Sequence, residues 1–243
     1  MKKIIAIIAA AGLYASLAAQ ELTVTYKVTF NEISQEDLAA AGQDNPMAKT
    51  FMDAMKDVVT YTRLVYKDGE SEYRSLPPEE RIPVTVMGMT IDLSSQLKTQ
   101  SKYYTYKNHN DGTQVEYTSL FDRNYLVTDS LGTTHFTLSE SETKEILGYE
   151  CTKATSEDGK TTAWFTTKLP YGDEPMLNGL DGLVLEYSNG MQTFVATGIL
   201  DTAAVEVKKP EKGKEVTREK YRELAEKAMS GFGGMGGGGG MPF

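Results

Sequence analysis

One cysteine, Cys151, in 243 residues leaves no partner for an intrachain disulfide. Stability must then come from a hydrophobic core of sufficient size. Only two histidines are present, His109 and His135, and neither has a second histidine or a cysteine at zinc-ligand spacing. There is no G-x-S-x-G elbow, and no phosphate-binding glycine loop opens a helix. No uninterrupted apolar run reaches the roughly 18 residues of a membrane-spanning helix. Basic residues are in deficit: 25 Lys and Arg face 34 Asp and Glu, a formal charge of −9. An acidic surface repels nucleic acid and anionic headgroups, and no basic run offers phosphate contacts. The sequence therefore predicts no catalytic residue, no metal, no cofactor and no nucleic-acid partner.

What is present begins with an address. Lys2 and Lys3 precede the apolar run Ile4–Leu13, and small residues follow at Ala15, Ser16, Ala18 and Ala19. That order reads as a secretory signal peptide over 1–19, cleaved near Ala18–Gln20. It predicts an exported protein, periplasmic or extracellular; outer-membrane or other peripheral association stays open. Residues 20–229 read as one β-rich domain. Residues 230–243, glycine-rich with Met235 and Met241, read as a disordered tail. Met229, Met235 and Met241 are soft ligands that suit Cu(I), but their spacing is loose and no histidine joins them.

Asp68-Gly69, Asp111-Gly112, Asp158-Gly159 and Asn189-Gly190 each lie between segments rich in Tyr, Val, Thr and Phe. Type I′ turns need positive φ at both central positions, which these residues tolerate, so four hairpins are predicted. Leu22, Val24, Tyr26, Val28 and Phe30 alternate with Thr23, Thr25, Lys27 and Thr29, the period of a half-buried strand. Leu183–Tyr187 and Gln192–Ile199 alternate likewise. Further strands are expected near 58–67, 70–75, 102–108, 113–120, 124–129, 133–138, 149–156, 160–167 and 203–208. Residues 75–100 read as an irregular excursion or an extra hairpin.

Ser34 can cap one short helix, and Asp44 or Asn45 a second, with Pro46 in its first turn. Met47, Phe51, Met55 and Val58 recur there at helical spacing. Thr217 caps a third, with Val216 and Tyr221 as a hydrophobic staple and Gly231 as its stop. The predicted fold is mainly β: a large curved antiparallel sheet, a half-barrel-like meander of about nine to eleven strands. Two or three helices would cover one face or edge.

Cys151 reads as a small buried hydrophobe, and the histidines as a turn residue and a solvent-facing strand residue. The segment Trp164–Tyr187 concentrates the only tryptophan, a Pro-rich loop and the hexapeptide Gly179-Leu180-Asp181-Gly182-Leu183-Val184. It resembles the signature of the GLPGLI family, secreted or periplasmic proteins of Bacteroidetes-type bacteria without a settled biochemical role. Asp181 stands where that family usually has proline, and Val184 where it has isoleucine. Trp164, Leu169-Pro170 and Pro175 fit it as well, and the cysteine ahead of the tryptophan agrees with a structural position. The layout is also similar to LolA-like lipoprotein carriers, which implies a concave face able to hold an apolar ligand. A rigid turn is the simpler reading of the hexapeptide; a ligand or partner surface is the other. On the second reading the binding residues are Trp164, Pro170, Pro175, Leu177, Gly179, Leu180, Asp181, Gly182 and Leu183. The function expected is non-catalytic: binding of a hydrophobic ligand or another envelope protein, or else structural docking without a small ligand, with metal handling or an enzyme activity as lesser alternatives. The sequence leaves the oligomeric state open.

Overall fold

A computed structural model describes residues 21–33, 38–39, 46–169 and 178–233. The expected signal peptide over 1–19, the expected helix caps at Ser34 and at Asp44 or Asn45, and the glycine-rich residues 234–243 lie outside that set. In chain order the elements are β1 (Glu21–Phe30), α1 (Pro46–Met55), β2 (Val59–Lys67), β3 (Glu70–Ser75), β4 (Pro83–Val86), β5 (Met89–Asp92) and α2 (Ser94–Gln100). There follow β6 (Tyr104–Asn108), β7 (Thr113–Leu120), β8 (Arg123–Ser130), β9 (Phe136–Ile146), β10 (Tyr149–Ser156) and β11 (Thr162–Thr166). The chain then forms β12 (Leu183–Ser188), β13 (Gln192–Leu200), β14 (Lys214–Thr217) and α3 (Arg218–Gly233).

Twelve of these strands form one sheet, ordered β14-β8-β7-β6-β3-β2-β1-β13-β12-β11-β10-β9, while β4 and β5 pair as a separate hairpin. The sheet has one strand more than the upper end expected. It is antiparallel except at one edge, where β14 joins β8 in parallel. Its curvature follows from connectivity. β8 and β9 stand near opposite ends of the order, ten inter-strand spacings of about 4.8 Å apart, about 48 Å if flat. Only residues 131–135 join them, and so short a link reaches about 20 Å. The sheet must therefore curl its two wings toward each other.

The concave face is filled by side chains. Leu22, Val24, Tyr26 and Val28 from β1, Leu64 from β2, and Phe165, Leu183, Leu185, Tyr187, Phe194 and Ala196 from the other wing form one cluster. Tyr66 and Tyr73 pack against it from β2 and β3, as Tyr149 does from β10. Tyr187 stacks on Phe194 at 4.2 Å between centroids, and the Tyr26 hydroxyl donates to the Val184 carbonyl. The alternation read in β1 holds for Leu22, Val24, Tyr26 and Val28, but Thr23 on the opposite face is buried as well, and Phe30 packs in other clusters.

All four predicted hairpins join paired strands. Only Asp68-Gly69 has positive φ at both positions. In the other three the glycine alone is left-handed, because the loops are longer and an Asx side chain gathers the amides. Asn189 Oδ1, for example, accepts from the amides of Met191 and Gln192. Met87-Gly88 and Leu147-Gly148 make the tight turns that composition hides, with positive φ at a methionine and a leucine.

Within the stretch 75–100, residues 83–92 form the β4–β5 hairpin, whose Val84 and Val86 pack against Met55, Val58 and Leu93. The strand expected at 203–208 is absent: residues 201–213 form no element, and run as a strap from β13 to β14. Thr217 does cap α3, its Oγ1 accepting from the Lys220 amide at 3.2 Å. The helix continues past Gly231 to Gly233, since an interior glycine costs only about 1 kcal/mol. Arg218 fastens its start to the sheet through Glu116 (2.6 Å) and Asp129 (3.4 Å).

Candidate functional site

The hexapeptide that drew attention in the sequence is built into the core. Leu180, Leu183 and Val184 are buried in the main cluster. Gly179 has φ +117°, and a Cβ there would fall on the Thr134 carbonyl oxygen. Gly182 has φ +156°, and its Cβ would fall on the Thr166 carbonyl oxygen. The two glycines thus let the segment press against two other backbones, and Asp181 stays exposed at the turn between them. Pro170, Pro175 and Leu177 lie outside the described residues. Trp164 sits on β11 opposite Lys153 and Glu186. Phe165 is buried in the core and Trp164 packs against it half-buried, with Lys144 Nζ 4.3 Å from the indole ring centroid. Lys144 in turn pairs with Glu186 at 2.6 Å.

A polar cluster borders the hexapeptide. Lys107 on β6 is 2 % exposed, and its Nζ donates to Asn178 Oδ1 at 2.8 Å. The Thr134 amide donates to the Asn178 carbonyl. Ser71 Oγ lies 3.2 Å from His109 Nε2, and the Tyr66 ring lies beside the imidazole. Burial, and then the nearby Lys107 charge, push His109 down to about 4, so it is neutral near pH 7. A serine beside a neutral imidazole has the composition of a nucleophile and its base. Ser71, however, is buried and offers a substrate carbonyl no approach. The cluster's evident work is to satisfy polar groups where the wings meet.

Cys151 is fully buried, and burial raises its thiol to about 11, which keeps it protonated and unreactive. Among the described residues no group of three His, Cys, Asp or Glu side chains could hold a metal ion. No helix among them is long and apolar enough to cross a membrane.

An open site lies on the other face of the sheet, under the strap. Residues 201–213 leave β13 and cross behind β1, where Thr23 Oγ1 donates to the Thr202 carbonyl and accepts from the Ala204 amide. Val207 then packs on Tyr106, Val115 and Leu126 of β6, β7 and β8, and Pro210 is buried. Beside this crossing is a cleft of about 540 Å³, lined by Tyr104, Tyr117, Lys208, Lys209, Pro210, Glu211 and Lys212. Tyr104 and Tyr117 are cross-strand partners with ring centroids 5.8 Å apart. Arg74 lies 4.4 Å over the Tyr104 ring, and the Tyr117 hydroxyl accepts from Asn124 Nδ2 at 2.9 Å. Both rings are therefore held in place before any ligand arrives. The site was not legible in the sequence because the β6–β7 hairpin and the strap that line it lie about ninety residues apart in the chain. The one local sign was the cluster Lys208, Lys209 and Lys212 in an acidic chain.

Two crystal forms of PNGF-II share the fold. One is 19% identical with a TM-score of 0.53, covering 86% of this chain and 34% of that one. The other is 17% identical with a TM-score of 0.54, covering 86% and 33%. The chain thus spans about a third of the length of those proteins. An uncharacterized conserved protein from Thermus thermophilus aligns at 9% identity and a TM-score of 0.40, over 82% of this chain and 91% of that one. No curated protein matches the chain. The model of the PNGase F-II family described as N-glycanase peptide, N-terminal domain, matches residues 85–225, more than half of the sequence, and the chain belongs to that family.

Proposed function

We propose that this chain is an exported, non-catalytic binding domain that takes a saccharide in the Tyr104–Tyr117 cleft. The carrying observation is the pair of fixed tyrosine rings in an open groove. Its volume falls inside the range of roughly 300–1,000 Å³ of small-ligand sites. A pyranose presents C–H faces that lie well on an aromatic ring and hydroxyls that reach polar neighbours. The family name speaks of an N-glycanase, an enzyme acting on glycans, which makes a saccharide the natural ligand class. Export rests on the Lys2–Ala19 pattern and on the GLPGLI resemblance, which implies the same compartment.

An apolar ligand at Trp164 fits the geometry less well, because the face that Phe165 enters is packed and the indole is covered by Lys144. Docking to another envelope protein keeps one specific observation in its favour. Met87 and Met89, at the tip of the β4–β5 hairpin, are 68% and 65% exposed, with exposed Ile91 beside them.

The test is calorimetric titration of the processed protein with oligosaccharides released from N-glycoproteins. Binding that disappears in Tyr104→Ala and Tyr117→Ala, with folding retained, supports the reading. Release of glycan from a glycopeptide by the purified chain would overturn its non-catalytic part. Absence of binding, with Met87→Lys abolishing a complex recovered from the envelope, would favour docking.

A further inference from the structure

We infer that the ligand of this cleft carries a carboxylate, and that Lys209 and Lys212 bind it; the inference rests on the saccharide reading above. The chain has nine more acids than bases, so three lysines on one lip run against the general balance. Their charges are not equally committed. Lys208 is taken by Glu206 at 2.8 Å, and Arg74, behind Tyr104, by Glu72 at 2.7 Å. Lys209 and Lys212 have no acidic partner among the described residues, and Glu211 is the single acid in the lining.

Their placement is also fixed. Pro210 stands between them, buried, with a ring that locks its own φ. The Val207 anchor lies two residues before Lys209. The backbone under the two lysines is thus ordered before binding, which lowers the entropic cost of closing on an anion. Exposed lysines attract any anion weakly, and salt screens them. What makes this a site for an acidic sugar is the join between the lysines and an aromatic floor. Tyr104 and Tyr117 take the ring face, and the ammonium groups at the lip take a carboxylate substituted on that ring. A neutral sugar keeps only the first contact, and a simple carboxylate only the second. Nucleic acid is disfavoured by the acidic remainder of the surface.

The experiment compares 3′-sialyllactose, lactose and citrate on the processed protein, by calorimetry at low and physiological salt. Sialyllactose is expected to bind at least tenfold tighter than lactose. In Lys209→Ala/Lys212→Ala that preference should fall below about twofold, with sialyllactose binding weakened more than lactose binding. In Tyr117→Ala both sugars should be lost together. Citrate, or an oligoglutamate peptide, binding as tightly as sialyllactose would overturn the inference in favour of a generic anion patch. Equal binding of lactose and sialyllactose would also overturn it and leave the saccharide reading standing. Failure of every sugar, with the wild-type fold intact, removes both.

Discussion

Lys107 Nζ donates a 2.8 Å hydrogen bond to the side-chain carbonyl of Asn178, 71 positions further along the chain. The bond joins β6 to the residue just ahead of the hexapeptide, and the Thr134 amide binds the same asparagine through its main chain. One residue thus helps secure the place where the curled wings approach.

The two ends of that bond should respond differently to mutation. Asn178→Leu leaves a buried ammonium short of an acceptor, and about 2–3 kcal/mol should be lost. Lys107→Met removes the charge and keeps the apolar stem, so its cost should be smaller. Urea denaturation of both variants measures this. A Lys107→Met loss larger than that of Asn178→Leu would contradict this ranking.

His109 gives the fold a pH dependence of known sign. Its folded value is depressed to about 4 against about 6.5 when unfolded. Between those values the unfolded chain binds more protons, so stability rises with pH through the window and falls as pH drops. Above about pH 6.5 the imidazole is neutral in both states and contributes no slope. His109→Gln should therefore lose less stability than the wild type between pH 7 and pH 5, by about 1–2 kcal/mol. Parallel slopes in denaturant titrations at the two pH values would contradict the depressed value.

The glycines can be ranked by what surrounds them. Gly190 has φ +85° with open space where a Cβ would stand, so Gly190→Ala meets only backbone strain of about 1 kcal/mol. Gly179→Ala and Gly182→Ala meet strain and a backbone carbonyl together, and neither carbonyl can move alone. They should each cost about 2 kcal/mol more than Gly190→Ala, read as a larger fall in Tm. Equal losses at all three would show that the hexapeptide relaxes easily.

Much of this fold was legible because hairpins write locally. The Asp-Gly and Asn-Gly pairs located four turns, and alternation in β1 chose its inner face, since both depend on residues within a few positions. The strap shows where local reading stops. Ala203, Val205 and Val207 are half-buried while Ala204, Glu206 and Lys208 are exposed, a true period of two. Yet this chain lies flat on a sheet face instead of at an edge. Its amides bind side chains: Ala203 donates to Glu21 and Ala204 to Thr23. Alternation reports one wet side, not a ladder. The same limit hid the cleft, whose tyrosines and lysines meet only because the strap crosses β6 and β7.

Trp164 offers a direct check on which face of β11 is open. Lys144 sits over its ring and is itself held by Glu186. A cation over an indole contributes about 0.5–1 kcal/mol when partly exposed. Lys144→Met keeps the covering stem, so it should lose about that much with little change in emission. Lys144→Ala uncovers the ring, and acrylamide quenching should rise with a red shift. As the only tryptophan, Trp164 gives a signal without interference. Long-chain lipid added to the wild type should leave that emission unchanged, because the core behind β11 is already filled by Phe165, Tyr187 and Phe194. A saturable lipid-dependent shift, absent from unfolded protein, would instead return the binding site to Trp164 and the hexapeptide.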